Sequence, residues 1–190
     1  IYWWEWGHRQ LGRIVGVVWL IGFIWLALGK KITHLWIARS LIIGGLGGLQ
    51  GAIGWWMVSS GLSGRMVDVA SYRLAVHLGL AFLILTLITW YLFQSNISDQ
   101  EKIRSRRERD KSLAPLVNIL LGFVFLQIIV GALVAGIDAG RGYTDWPLMN
   151  GEFLPSESFD YLPFLINFTE NSALVQFNHR VIGYLTVFYT

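Results

Sequence analysis

Three of the four histidines, His8, His77 and His179, lie in or at the mouth of long apolar runs, each near one end of its run. Ionisable groups in that setting are costly and mark function by default. Each ring can hydrogen-bond a neighbouring helix, as polar side chains in membrane bundles do. Alternatively, rings on separate helices can meet around a shared ligand, and His8 and His77 are the pair placed to do so. With no cysteine and few carboxylates at that depth, a zinc site lacks its usual four donors. A heme needs only one or two axial imidazoles and a wide apolar slot between helices. Arg9 and Arg180 directly follow two of the histidines, where a guanidinium could pair with heme propionates or snorkel to lipid headgroups. Glu5, three residues before His8, shares its helical face about one turn further out. Its carboxylate could relay protons beside an axial position, or simply pair with Arg9. His34 falls in a basic connection and reads as a surface residue.

The elements that must position these side chains are membrane spans. Hydrophobic residues make up 54% of the chain and charged residues only 14%, with mean hydropathy +0.51, which places it in the integral membrane class. A span needs roughly 20 apolar residues. Five runs qualify: about 10–29, 39–60, 73–94, 113–137, and a truncated fifth from about 173 to the end. The predicted fold is therefore all-α, a polytopic transmembrane helical bundle.

Charge fixes its orientation. Lys30, Lys31 and Arg39 separate the first two spans, and the run Asp99–Lys111 carries Lys102, Arg104, Arg106, Arg107, Arg109 and Lys111 against four acids. The positive-inside rule puts these connections, including the basic loop 98–112, on the inner side and the loops 61–72 and 138–172 outside. This charge pattern is an orientation signal and implies no nucleic-acid partner. Measured back from Lys30, His8 lies roughly 33 Å up the first helix, near the outer boundary of the hydrocarbon. His77 lies roughly 26 Å from Gln94, slightly deeper on the same side.

The missing cysteines also exclude disulfides, iron–sulfur clusters and thiolate metal sites from these 190 residues. The start at Ile1 and the stop at Thr190 in mid-run lead us to expect an internal fragment. The loop 138–172 is rich in Gly, Pro and aromatics and shows no obvious secondary structure, so a lid on the outer interface is expected there. The first and fifth spans open alike, as Glu5-x-x-His8-Arg9-x-x-Gly12 and Gln176-x-x-His179-Arg180-x-x-Gly183. A weaker match, Leu-Gln-x-x-x-Gly, joins Leu49–Gly54 to Leu126–Gly131, and chance could account for it. Such echoes suggest two similar helical halves: residues 1–97 and 113–190, with 98–112 as the seam. The pairs Gly12/Gly16, Gly44/Gly48 and Gly47/Gly51 would admit either a flat macrocycle or a close helix.

On the segments EWGHRQLGR (5–13), LQGAIGWWMVSSGL (49–62), YRLAVHLGLA (72–81), AGIDAGRGYTDWPLMNG (135–151) and QFNHRVIGY (176–184), the chain resembles the heme A synthase family. The match is to its cysteine-free mitochondrial and alphaproteobacterial branch. The resemblance implies an eight-helix protein of two four-helix halves, of which this is a fragment, inactive alone. It implies oxidation of a ring methyl of heme O to a formyl group, giving heme A for terminal cytochrome oxidase. By resemblance, His8 and His77 are axial to the substrate heme, Glu5 is the carboxylate used in turnover, and His179 is one axial ligand of a heme b cofactor. The expected surroundings are a bacterial or mitochondrial inner membrane and its lipid, with heme O synthase and an electron donor as candidate partners and homo-oligomerisation open. The residues alone argue heme without choosing the reaction, so a di-heme electron carrier resembling cytochrome b stays as the alternative. A transporter would place its polar residues near the bilayer centre, and here they cluster at the outer edge.

Overall fold

The computed structural model describes residues 2–61, 69–108 and 111–190. Among these the regular structure is helical: α1 (Tyr2–Leu28), α2 (His34–Gly61), α3 (Ser71–Asn96), α4 (Asp99–Glu108), α5 (Leu113–Gly136), α6 (Asn167–Glu170) and α7 (Ser172–Tyr189). Four of them, α1, α2, α3 and α5, are long and apolar enough to cross a membrane. Their outer surfaces are apolar too; Val18 and Ile21 are more than 60% exposed. A helix that is apolar all round needs a nonaqueous environment or further protein around it. This is an integral membrane protein. The expected fifth span is present as α7, at 18 residues, but it is not among the four. Its first turns carry Ser172, Gln176, Asn178, His179 and Arg180, which lower its apolarity.

The long helices pack in chain order, α1 on α2, α2 on α3, α3 on α5 and α5 on α7, with α3 against α5 the most extensive contact. Small residues set that contact. A Cβ on Gly79 would come within 2.5 Å of Ile129, and one on Gly136 within 2.8 Å of the Ser71 backbone. Ala75 and Ala132 are buried in the same seam. At the α1–α2 contact, a Cβ on Gly44 would fall 2.0 Å from the Trp19 ring. Helix α1 stops in a Schellman turn: Lys30 takes φ 52°, Lys31 N–H donates to the Leu26 carbonyl (3.0 Å) and Lys30 N–H to that of Ala27 (3.1 Å).

Two connections differ from expectation. The basic segment 98–112 contains the helix α4, started by a capping box: Glu101 N–H donates to Ser98 Oγ (3.2 Å), and the Ser98 backbone N–H donates to the Glu101 carboxylate (2.9 Å). Ion pairs Lys102–Asp99 and Arg104–Glu108, each 3.0 Å, lie along it. In the expected loop 61–72, residues 62–68 lie outside the described residues.

The segment 138–172 is ordered through short pieces rather than structureless. Turns of 3-10 helix form at Ala139–Arg141, Ser156–Phe159 and Phe164–Ile166, followed by α6. A two-residue turn at Asn150 (φ 53°) and Gly151 (φ 85°) lets Met149 and Glu152 pair, as Asn-Gly sequences favour. The Asp145 carboxylate accepts from the N–H groups of both turn residues, at 2.9 and 3.3 Å. Buried Asn167 and Asn171 satisfy the carbonyls of Tyr161, Phe164 and Glu157, and Asn171 also caps α7.

Helix α7 holds this segment down. The Arg180 guanidinium donates to the carbonyls of Tyr143 (2.8 Å), Asp145 (2.9 Å) and Leu148 (3.0 Å). Gln176 donates to the Tyr143 carbonyl as well (2.7 Å), and Trp146 donates to the Tyr184 hydroxyl (2.8 Å). Burial, reinforced by the hydrogen bond to Glu157, pushes the Tyr143 phenol up to about 12. The backbone N–H of Asn150 holds Asp145 below the usual carboxylate range, and the Tyr143 hydroxyl does the same for Glu157.

Depressed carboxylates stabilise the fold above their ordinary pKa and lose that contribution as pH falls through the folded value. Hydrogen-exchange protection of residues 143–158, corrected for intrinsic rates, should therefore hold from neutrality to about pH 4 and decline below it. Arg180→Ala should remove about 3 kcal/mol of that protection at neutral pH, through the loss of three charge-assisted bonds. Unchanged exchange in the variant would show that Arg180 does not hold the segment.

Candidate functional site

His8, His77 and His179 sit at the same end of the bundle as the folded segment 138–172, and α2 and α5 supply the walls behind the last two. The rings of His8 on α1 and His77 on α3 lie with centroids 6.5 Å apart and planes 68° apart. Between these helices runs α2, which touches both. Its Gln50 donates to the His77 carbonyl at 3.0 Å, and the same amide nitrogen lies 3.3 Å from His77 Nε2. One turn along α2, Gly54 faces the ring: a Cβ there would come within 2.9 Å of His77 Cε1. His77 Nδ1 is buried and has no hydrogen-bond partner.

On α7 the arrangement recurs. The Gln127 amide nitrogen, on α5, lies 3.1 Å from His179 Nδ1 and 3.3 Å from Nε2. A Cβ on Gly131 would come within 3.1 Å of His179 Cε1. In the sequence the Leu-Gln-x-x-x-Gly echo is a bare repeat with no visible purpose. Its glutamine and glycine both address the histidine of a neighbouring helix.

The separation of His8 and His77 can be compared with what a metal needs. Metal–imidazole bonds of about 2 Å, plus the ring radius on each side, put two trans imidazole centroids about 6 Å apart. The observed 6.5 Å matches that spacing. Among the described residues no cluster of three or more His, Asp or Glu side chains forms, so the donor set suits a metal that brings most of its own ligands. A Cβ on Gly12, one turn below His8, or on Gly47, Gly48 or Gly51 of α2 would meet nothing within 4 Å, and all four lie on exposed helix surface. Of the glycines in the sequence pairs, only Gly44 closes on another helix, against Trp19.

The other expected residues fall as follows. Glu5 and Arg9 are exposed on α1, and no ion pair joins them among the described residues. Arg180 is occupied by three carbonyls of the 143–148 segment, so its observed task is to anchor that segment. Gln176, the counterpart of Glu5 in the echo, is buried and bonds the same segment. His34 is exposed at the start of α2, at the opposite end of the helix from Gln50 and Gly54. A cavity of about 520 Å³ at the far end of α3 is lined by Trp36, Arg39, Trp90, Gln94, Lys102 and Arg106. Two of its cations are engaged locally, Arg39 with Gln94 and Lys102 with Asp99.

The model of the cytochrome oxidase assembly protein family (COX15-CtaA) matches residues 1–190. A heme A synthase of Dinoroseobacter shibae is 57% identical over 97% of this chain and 48% of its own length. Those of Paracoccus denitrificans (56% identical, 97% of this chain, 49% of the relative) and Roseobacter denitrificans (52%, the whole of this chain, 50% of the relative) are similar. The chain thus spans about half the length of the curated relatives it matches. No solved structure matches it. On the match along its full length, the chain belongs to the cytochrome oxidase assembly protein family.

Proposed function

We propose that the protein containing these 190 residues is a heme A synthase, a membrane oxidoreductase that converts the ring methyl of heme O to the formyl group of heme A for terminal cytochrome oxidase. The observation that carries this reading is the 6.5 Å separation of the His8 and His77 rings, on two helices and at a common level. Family membership and relatives named heme A synthase support the same conclusion. In this reading His8 and His77 hold the substrate heme O, and Gly12, Gly47, Gly48 and Gly51 put no side chain in the way of its macrocycle. His179 would hold heme b, which when bound would supply one-electron transfer.

Glu5 is the residue of this chain assigned to the chemistry itself. It lies one turn from His8 on the same face of α1 and is free of an ion pair with Arg9. A carboxylate so placed can accept the proton released as the methyl carbon is oxidised, or stabilise positive charge developing there. Arg9, the residue next to His8, is the cation of the pair left to reach a propionate, because Arg180 is already bonded. The folded segment 138–172 acts as the outer lid that limits water at this end. The setting is a bacterial or mitochondrial inner membrane with the lid outside and α4 inside, lipid around the bundle, and heme O synthase and an electron donor as partners.

Glu5→Gln in the full-length protein tests the assignment. Pigments extracted from cells expressing it should contain heme O at the expense of heme A, with conversion down by at least about 100-fold and heme binding retained. Normal conversion by the variant would remove Glu5 from the chemistry. Unaltered heme b together with redox cycling, and no heme O or heme A in the wild type either, would favour a di-heme electron carrier instead.

A further inference from the structure

We propose that Gln50 and Gln127 are positioning residues for the imidazoles of His77 and His179, each working with the glycine four residues on as a two-residue seat. The inference rests on the reading of these histidines as heme ligands and adds the residues that orient them.

Four observations converge. Both glutamines bring the amide nitrogen to 3.1–3.3 Å from a ring nitrogen of a histidine on another helix. Both glycines lie where a Cβ would meet the Cε1 edge of the same ring, at 2.9 and 3.1 Å. The spacing Gln-x-x-x-Gly is identical in α2 and α5, and i,i+4 residues share a helix face. Finally, Gln50 Oε1 and Gln127 Oε1 are buried without a partner.

A buried acceptor left unsatisfied is costly, so the spare oxygens need a reason. A carboxamide carries a donor at one end and an acceptor at the other. Turned about its last bond, Gln127 would exchange them and take the N–H of His179 Nδ1 on its oxygen, leaving Nε2 for a metal. A ligating histidine needs such a partner on its second nitrogen to fix its tautomer and ring plane. The glycine removes the methyl group that would otherwise push the ring aside. Gln50 works differently: its amide nitrogen is held by the His77 carbonyl, so it fixes the main chain that carries the ring and lies against the ring without setting its tautomer.

The neutral amide also has a consequence that a carboxylate would not share. It orients the imidazole without pulling its proton away, which keeps the ligand a weaker base and the iron easier to reduce. His8 has no such seat; it is exposed on α1. The first pair therefore combines a fixed imidazole with a freer one, an arrangement that allows a substrate heme to enter and leave.

The test uses the full-length protein, with redox titration and low-temperature EPR of its bound heme, and His179→Ala as control. Gln127→Glu, nearly isosteric, should shift the midpoint potential of that heme downward. Gln127→Leu should shift it upward and reduce heme retention by about 10- to 100-fold. A merely structural role would leave the potential of whatever heme remains unchanged. Wild-type potential and spectrum in Gln127→Glu, with His179→Ala losing the signal, would overturn the seat while leaving the ligand assignment intact. A heme signal that survives His179→Ala unchanged would overturn the ligand assignment itself, and the seat with it. If Gln127→Leu does not accumulate, Gln127→Glu decides alone.

Discussion

A polar ring inside an apolar bundle has to be given a partner, and that requirement organises this molecule. A partly buried imidazole between apolar helices has few partners to choose from, so its position is dictated by what neighbouring helices offer. Here α2 and α5 each present an amide and, one turn along, a gap where a side chain would otherwise be. The helix order α1–α2–α3 brings a second ring within reach of the first. Small residues between α3 and α5 then join the two parts into one packed body.

The segment 138–172 follows the same logic with backbone groups. A chain of about 35 residues crossing the mouth of the bundle carries many carbonyls and N–H groups, and each needs a partner. Arg180, Gln176, Asn167, Asn171 and Asp145 provide them. The two histidine-bearing helix openings thereby diverge in use. In α7 the positions around His179 are taken up in anchoring that segment. In α1 the matching positions, Glu5 and Arg9, remain exposed and uncommitted, which is where reactive groups can be afforded.

Much of this was legible in the sequence because membrane helices declare themselves by length and apolarity. The spans, and the common level of His8 and His77, followed from counting residues at a fixed rise per residue. The helix α4 was hidden by its charge, although Ser98-x-x-Glu101 is a readable capping signal. The ordered nature of 138–172 was less accessible, since it depends on Arg180 and two buried asparagines meeting carbonyls distant in sequence. The glutamine seats were visible only as a faint repeat. Nothing local to Gln50 or Gln127 says which ring will lie against it; that comes from the helix packing.

The central claim is that the imidazoles of residues 8 and 77 flank one iron. Low-temperature EPR of the oxidised full-length protein, loaded with heme O at the first-half site, tests it most directly. The account predicts a low-spin ferric signal in the wild type that becomes high-spin when either His8 or His77 is replaced by alanine. A low-spin heme O signal, resolved from that of the heme held by His179, that survives both single replacements would contradict it.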